Sequence, residues 1–183
     1  LTKTMKSAYI PQWGQYVVTS PQGDVRVKVD FAASGNKMKL SVRNTIYDAA
    51  GKLVAKSQGV REQKLKVKNP YLWDIGKGYL YTVKSELLVN GKVVDVATTT
   101  AGFRDVKFDA RKGFFLNGRN LKINGVCEHH DFGCLGAAVN EDAMHRKLTI
   151  LRDMGVNAIR SSHNPPAPEL LNMCDSMGIL VMD

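Results

Sequence analysis

Two short runs carry the residues that could do chemistry: AIRSSHNPPAP at 158–168 and GVCEHHDFGCLG at 125–136. The first sets Arg160, His163 and Asn164 between an apolar, strand-like stretch and a proline-opened helix. The second brings Cys127, Glu128, His129, His130, Asp131 and Cys134 close together in sequence. A turn that only had to pack could be built from Gly, Asn and Ser. Arginine adds a permanent planar charge, and histidine a ring that donates, accepts or binds metal near neutral pH. Two chemistries are therefore open, a polar binding rim and a metal site. Strand alternation places His130 opposite Cys127 and His129, and the Cys and His spacing fits no zinc motif, so neither a metal nor a cofactor is expected.

The elements that must position these residues follow from periodicity and caps. LKINGVCEHH reads as one strand. Asn140 caps a helix with Glu141 and Asp142 in its first turn and Met144, Leu148 and Leu151 as its apolar stripe, and Gly155 ends it. A second helix starts within Pro165 to Glu169, turns Leu170, Leu171 and Cys174 inward and stops at Gly178. DMGVNAIR and SMGILVMD repeat one pattern, a helix end, a glycine cap and a short buried strand, so residues 121–183 spell β-α-β-α-β. In parallel α/β folds the site lies at the C-terminal strand ends. Glu128 to Asp131, Arg160 to Asn164 and Asp183 fall at three successive ends of that kind. Two strands that each bring histidine to one rim favour a binding site over a structural imidazole.

Residues 15–101 follow a period of two instead. Val25, Val27, Val29 and Phe31 alternate with charged residues, as do Met38, Leu40 and Val42. Turn signals recur at SGN, AAGK, KNP, GKG and VNGK, and LLVNGKVV and FFLNGRNL are hairpins through Asn90-Gly91 and Asn117-Gly118. The expectation is an all-β immunoglobulin-like sandwich over 15–103, without the usual disulfide, followed over 104–183 by a partial (β/α) barrel segment.

The net charge of +9 sits entirely in the first part, with 16 basic against 7 acidic residues in 1–100 and 10 against 10 in 101–183. Those lysines alternate with valines as the solvent face of strands does, and no base-stacking motif accompanies them, so nucleic acid is not the expected partner. No run approaches the roughly 20 apolar residues of a membrane span, and no membrane partner is expected. Three cysteines confined to the second half organise no disulfide framework, and the compartment stays open.

The succession NPYLWDIGKGYLYTV, AGFRDVKF, FFLNGRNLKINGVCEHHDFGCLG and LRDMGVNAIRSSHNPPAPELLNMCDSMGILVMD resembles glycoside hydrolase family 2, the beta-galactosidase and beta-glucuronidase group. The resemblance covers nearly the whole chain, and SHNPP with PELL and CD…G is its most specific part. It implies a jelly-roll sugar-binding domain, of which residues 1–14 would be the tail or linker, then the sandwich, then the N-terminal portion of a TIM barrel. It implies retaining hydrolysis of terminal β-linked sugars, beta-galactosidase type first, with galactose, glucuronate and mannose not separated. That chemistry needs two carboxylates about 5 to 5.5 Å apart. By resemblance both are glutamates on later barrel strands, beyond Asp183, so the chain reads as a fragment without a catalytic residue of its own.

What the resemblance does assign are substrate-binding positions. His129 and His163 match residues that hydrogen-bond sugar hydroxyls. Arg160 matches an arginine beside the nucleophilic carboxylate, and Asp131 and Asn164 are further candidates for the same rim. Cys127 and Glu128 depart from the family pattern, which carries an arginine before the first histidine. A catalytically silent carbohydrate-binding or interaction module is the alternative. With three strands of the eight a barrel needs, self-association through the open edge is also expected.

Overall fold

The computed structural model describes residues 8–34 and 38–182. Half of the N-terminal tail, the greater part of the SGN turn and Asp183 lie outside the described residues. The chain forms two compact units, one holding the residues up to Tyr71 with Leu80–Phe103, the other Leu72–Tyr79 with the residues from Arg104 onward.

The first unit is a sandwich of two antiparallel sheets. Strands β1 (Ala8–Tyr9) and β4 (Ala32–Ala33) pair as a short ribbon beside it. One sheet has the order β2-β3-β7, formed by Gln15–Thr19, Asp24–Val29 and Glu62–Lys66. The other runs β6-β5-β8-β9, formed by Leu53–Gly59, Leu40–Tyr47, Tyr81–Val89 and Lys92–Ala101. Alternation sends Val25, Val27 and Val29 inward to meet Val42, Ile46, Val83 and Leu87, all buried, while Arg26 and Lys28 stay in solvent. Three polar side chains in this unit form a hydrogen-bonded chain, which leaves Asn44 Nδ2 buried without a partner. Gln15 Nε2 donates to Ser85 Oγ at 2.7 Å, and Ser85 Oγ donates to Asn44 Oδ1 at 2.6 Å. The hairpin between β8 and β9 turns through Asn90 and Gly91 at φ 51° and 81°, the positive pair that a type I′ turn requires.

The second unit opens with a three-stranded meander, β10 (Val106–Asp109), β11 (Gly113–Leu116) and β12 (Arg119–Leu121). A parallel sheet follows, in the order β13 (Gly125–His129), β14 (Ala158–Ser162), β15 (Leu180–Met182), with α1 (Glu141–Asp153) and α2 (Pro168–Met177) in the two crossovers. The helices pack Met144, Leu148, Leu170, Cys174 and Met177 against Ile159 of the sheet and Ile179 at its edge. Leu171 is only half-buried, and Met177 fills the inward position nearer the helix end.

Two boundaries differ from the sequence expectation. LKINGVCEHH is two strands, because the Asn157 side chain holds the residues between them. Its Nδ2 donates to Lys122 O at 3.0 Å, and its Oδ1 accepts from Asn124 N at 2.9 Å. The second helix begins at Pro168 and leaves Pro165 and Pro166 outside it; a residue followed by proline is disfavoured in helical conformation.

The segment Leu72–Tyr79 is anchored within this unit by contacts remote in sequence. Trp73 Nε1 donates to Asp175 O at 2.6 Å, and Asn117 Nδ2 donates to Trp73 O at 3.0 Å. Gly76 N donates to Gly178 O at 3.0 Å. Burial raises the Asp175 carboxyl above its usual value, against the opposing charge of Arg104.

Candidate functional site

The ladder of the parallel sheet fixes which side chains share a face. Cys127 pairs with Arg160 and Arg160 with Met182, while His129 pairs with Ser162. The intervening residues Val126, Glu128, Ile159 and Ser161 point to the helix side, where Val126 and Ile159 join the core. Cys127, His129, Arg160 and Ser162 therefore lie on the opposite face, with His129 and Ser162 at its C-terminal edge. That is the edge where parallel α/β folds gather their sites.

Just past this edge, at a cis Ser162–His163 peptide bond, His163 completes a group of three. The rings of His129 and His163 meet edge to face with centroids 6.0 Å apart. Arg160 Nη1 lies 3.3 Å from His163 Nδ1 and 3.5 Å from Ser162 Oγ. All three of His129, Arg160 and His163 are exposed. Cys127 joins the group through hydrogen bonds with Ser162 and Arg160, which in that order hold its thiol below the usual range. The result is two imidazoles and a guanidinium on one open face. Such a face offers ring nitrogens to neutral hydroxyls and a fixed positive charge to a carboxylate.

The other two expected residues are placed differently. Asn164 lines a cavity of about 400 Å³ with Glu128, His129, His130, Phe132 and Pro165. Asp131 lines a separate recess against α1, beside Cys134 and Leu135. Its carboxylate closes its own turn, Oδ1 accepting from Gly133 N at 2.8 Å, while its backbone N donates to His129 O at 2.8 Å. His130 lies one residue beyond β13, and its ring approaches Phe132 with centroids 6.1 Å apart. Among the described residues no group of three or more His, Cys, Asp or Glu side chains comes together in a way that could hold a metal ion.

Cys127 and Ser162 belong to the site and were not singled out for it from the sequence. Alternation along β13 and β14 carries the signal, since both sit an even number of residues from His129 and Arg160.

Comparison with known proteins places both units in one family. Residues 9–104 match glycosyl hydrolases family 2, and residues 106–183 match glycosyl hydrolases family 2, TIM barrel domain. A beta-galactosidase of Bacteroides ovatus, BoGH2A, is 46% identical, the match covering 96% of this chain and 22% of that protein. A beta-glucuronidase of Streptococcus agalactiae is 31% identical over 84% of this chain and 25% of its own length. Among solved structures, a glycosyl hydrolase family 2 member from Bacteroides cellulosilyticus superposes with a TM-score of 0.89 at 36% identity, over 96% of this chain and 26% of that one. The chain thus spans about a quarter or less of the length of these relatives.

Proposed function

The chain belongs to glycosyl hydrolases family 2, and on that premise we propose that it forms part of a retaining exo-β-glycosidase of the beta-galactosidase type. In this reading residues 1–14 are a tail or linker, 15–103 an immunoglobulin-like sandwich, and 104–183 the β-α-β-α-β opening of a TIM barrel. The observation that carries the reading is the convergence of His129, Arg160 and His163 at the C-terminal edge of the parallel sheet. The imidazoles hydrogen-bond hydroxyls of the terminal sugar, and those contacts strengthen as the ring acquires oxocarbenium character. Arg160 stands beside the nucleophilic carboxylate and keeps it ionised. Both catalytic glutamates come from later barrel strands, so these residues bind and orient while others break the bond. Asn164 extends the rim toward the adjoining cavity, and Asp131 serves through the loop it closes.

The partner in this reading is carbohydrate, with neither nucleic acid nor membrane involved, and the edge strand β15, where Met182 is exposed, is a surface for pairing with another copy. A β-galactoside is preferred to a β-glucuronide because the beta-galactosidase relative has the higher identity of the two compared, 46% against 31%.

The test uses the full-length protein that contains this chain and aryl β-galactoside and β-glucuronide substrates. His163→Ala is expected to lower kcat/KM by about 10²-fold, mostly through kcat, and Arg160→Lys to be similarly damaging, because an ammonium cannot reproduce the guanidinium fork. The 183-residue chain alone is expected to release no aglycone. Kinetics near wild type for both variants would refute the assignment.

A further inference from the structure

Glu128 and Lys147 stand outside the group of side chains assigned to the sugar, and they are bound to each other. Glu128 Oε1 accepts a hydrogen bond from Lys147 Nζ, with the two side chains only 10% and 29% exposed. The same ammonium donates to Asp131 O at 2.8 Å and lies 4.2 Å from the centroid of the Phe132 ring. One cation on α1 thus grips the chain on both sides of His129, at the residue before it and at the two residues that close its turn. Strand alternation makes the grip consequential. Glu128 faces the helices and His129 the open face, so fixing the first side chain fixes the peptide that presents the second.

We propose that the Glu128–Lys147 pair is a positioning element that sets the place of the His129 ring opposite His163. Glu128 accordingly acts through His129, although it stands where many relatives carry an arginine. The inference rests on the functional reading given above only for the role of His129, and its first readout is independent of hydrolysis. A half-buried ion pair cannot lose one partner without stranding the other charge, whereas arginine in place of Lys147 keeps the cation and the N–H donors that Glu128 and the Asp131 carbonyl accept from.

The experiment records the ring ¹H–¹⁵N signals of the histidines in the 183-residue chain, with thermal melts as a check on folding. Glu128→Gln and Lys147→Met are expected to displace the His129 signals, and those of His163 with them, while His145 on α1 keeps its own. Lys147→Arg is expected to leave His129 at its wild-type position. In the full-length protein Glu128→Gln and Lys147→Met should lower kcat about tenfold more than they change KM, with Lys147→Arg close to wild type. His129 signals unmoved in folded Glu128→Gln and Lys147→Met chains would overturn the proposal. So would a folded Lys147→Arg chain whose His129 is displaced as far as in Lys147→Met. An enzyme without glycosidase activity but with the expected ring shifts would sink the functional reading and leave the positioning role intact.

Discussion

Asn157→Ala tests how the start of the site-bearing strand is set. The amide of Asn157 bridges Lys122 O and Asn124 N at 3.0 and 2.9 Å, and its backbone N donates to Asn124 O at 3.0 Å. Only the two side-chain bonds are lost in the alanine variant. Each is worth about 1 kcal/mol net, and both partners are exposed, so water recovers part of the loss. The expected cost is therefore about 1 to 2 kcal/mol. It falls on the segment that ends β12 and begins β13, so the local opening of β13 becomes about tenfold more frequent, at roughly 1.4 kcal/mol per decade. Hydrogen exchange at Val126 through His129 should accelerate by that factor, with a matching shift of the urea midpoint. Asn124→Ala, which keeps the backbone N–H that Asn157 holds, should change exchange there by less than twofold. If Asn157→Ala leaves the β13 amides within twofold of wild type in a folded chain, the staple does not define the strand.

Three further outcomes follow from close contacts and shifted groups. A Cβ on Gly78 would lie 2.2 Å from both Asp175 O and Ser176 O, whereas one on Gly76 meets open space at φ 68°. Gly78→Ala should therefore destabilise the fold more than Gly76→Ala, by about 2 kcal/mol and with the lower Tm of the two, despite the positive φ of the second site. Burial pushes the Cys174 thiol up to about 12, while the Ser162 and Arg160 hydrogen bonds hold Cys127 below its usual range. At pH 7 iodoacetamide should modify Cys127 first and leave Cys174 untouched until the chain unfolds, as mass spectrometry of tryptic peptides would show. Hydrogen bonds from Arg43 and then Lys84 hold the Glu86 carboxyl below its ordinary value. A depressed carboxyl stabilises the fold above the unfolded value, about 4.3, and loses that contribution as pH falls through the lower folded value. Glu86→Gln should thus flatten the acid limb of a stability-against-pH curve, and an unchanged limb would count against the pairing.

Features written in neighbouring residues were legible before the structure. Asn140 does cap α1, its side chain accepting from Ala143 N, and Gly178 ends α2 in the left-handed conformation. Asn117 and Gly118 turn at φ 51° and 76° as the second hairpin requires. Alternation in β3 gave the buried valines one by one. What escaped were contacts whose partners lie far along the chain. Nothing in NPYLWDIGKG marks Trp73 as a donor to Asp175, a hundred residues on, or Gly78 as the point where no Cβ fits. Nor does DMGVNAIR mark Asn157 as a staple, which is visible only once the strand beside it is in place. Nothing in the sequence marks Lys147 as the partner of Glu128. It turned inward because a carboxylate, a carbonyl and an aromatic face converge within reach of its flexible stem.

The grouping at the strand ends has a related reason, and so does the different placement of Asp131. His129, Arg160 and His163 were grouped from the sequence because position at a strand end is a local property, and the structure brings their side chains together. Asp131 was grouped with them on the same ground, yet its carboxylate is spent within its own turn, on the Gly133 amide. The difference lies in where regular geometry stops. Inside β13 and β14 a pleated backbone decides which way each side chain points, so Cys127, His129 and Arg160 reach one face whatever their types. Two residues past β13 that rule no longer holds, and an aspartate is free to satisfy the nearest backbone amide, as short carboxylates in turns commonly do. His163 is as far from regular structure as His130 is, and it joins the site through Arg160, which β14 has already oriented. Candidate residues on strands can therefore be assigned from register alone, whereas candidates in the loops between them must be judged by which strand-borne group holds them.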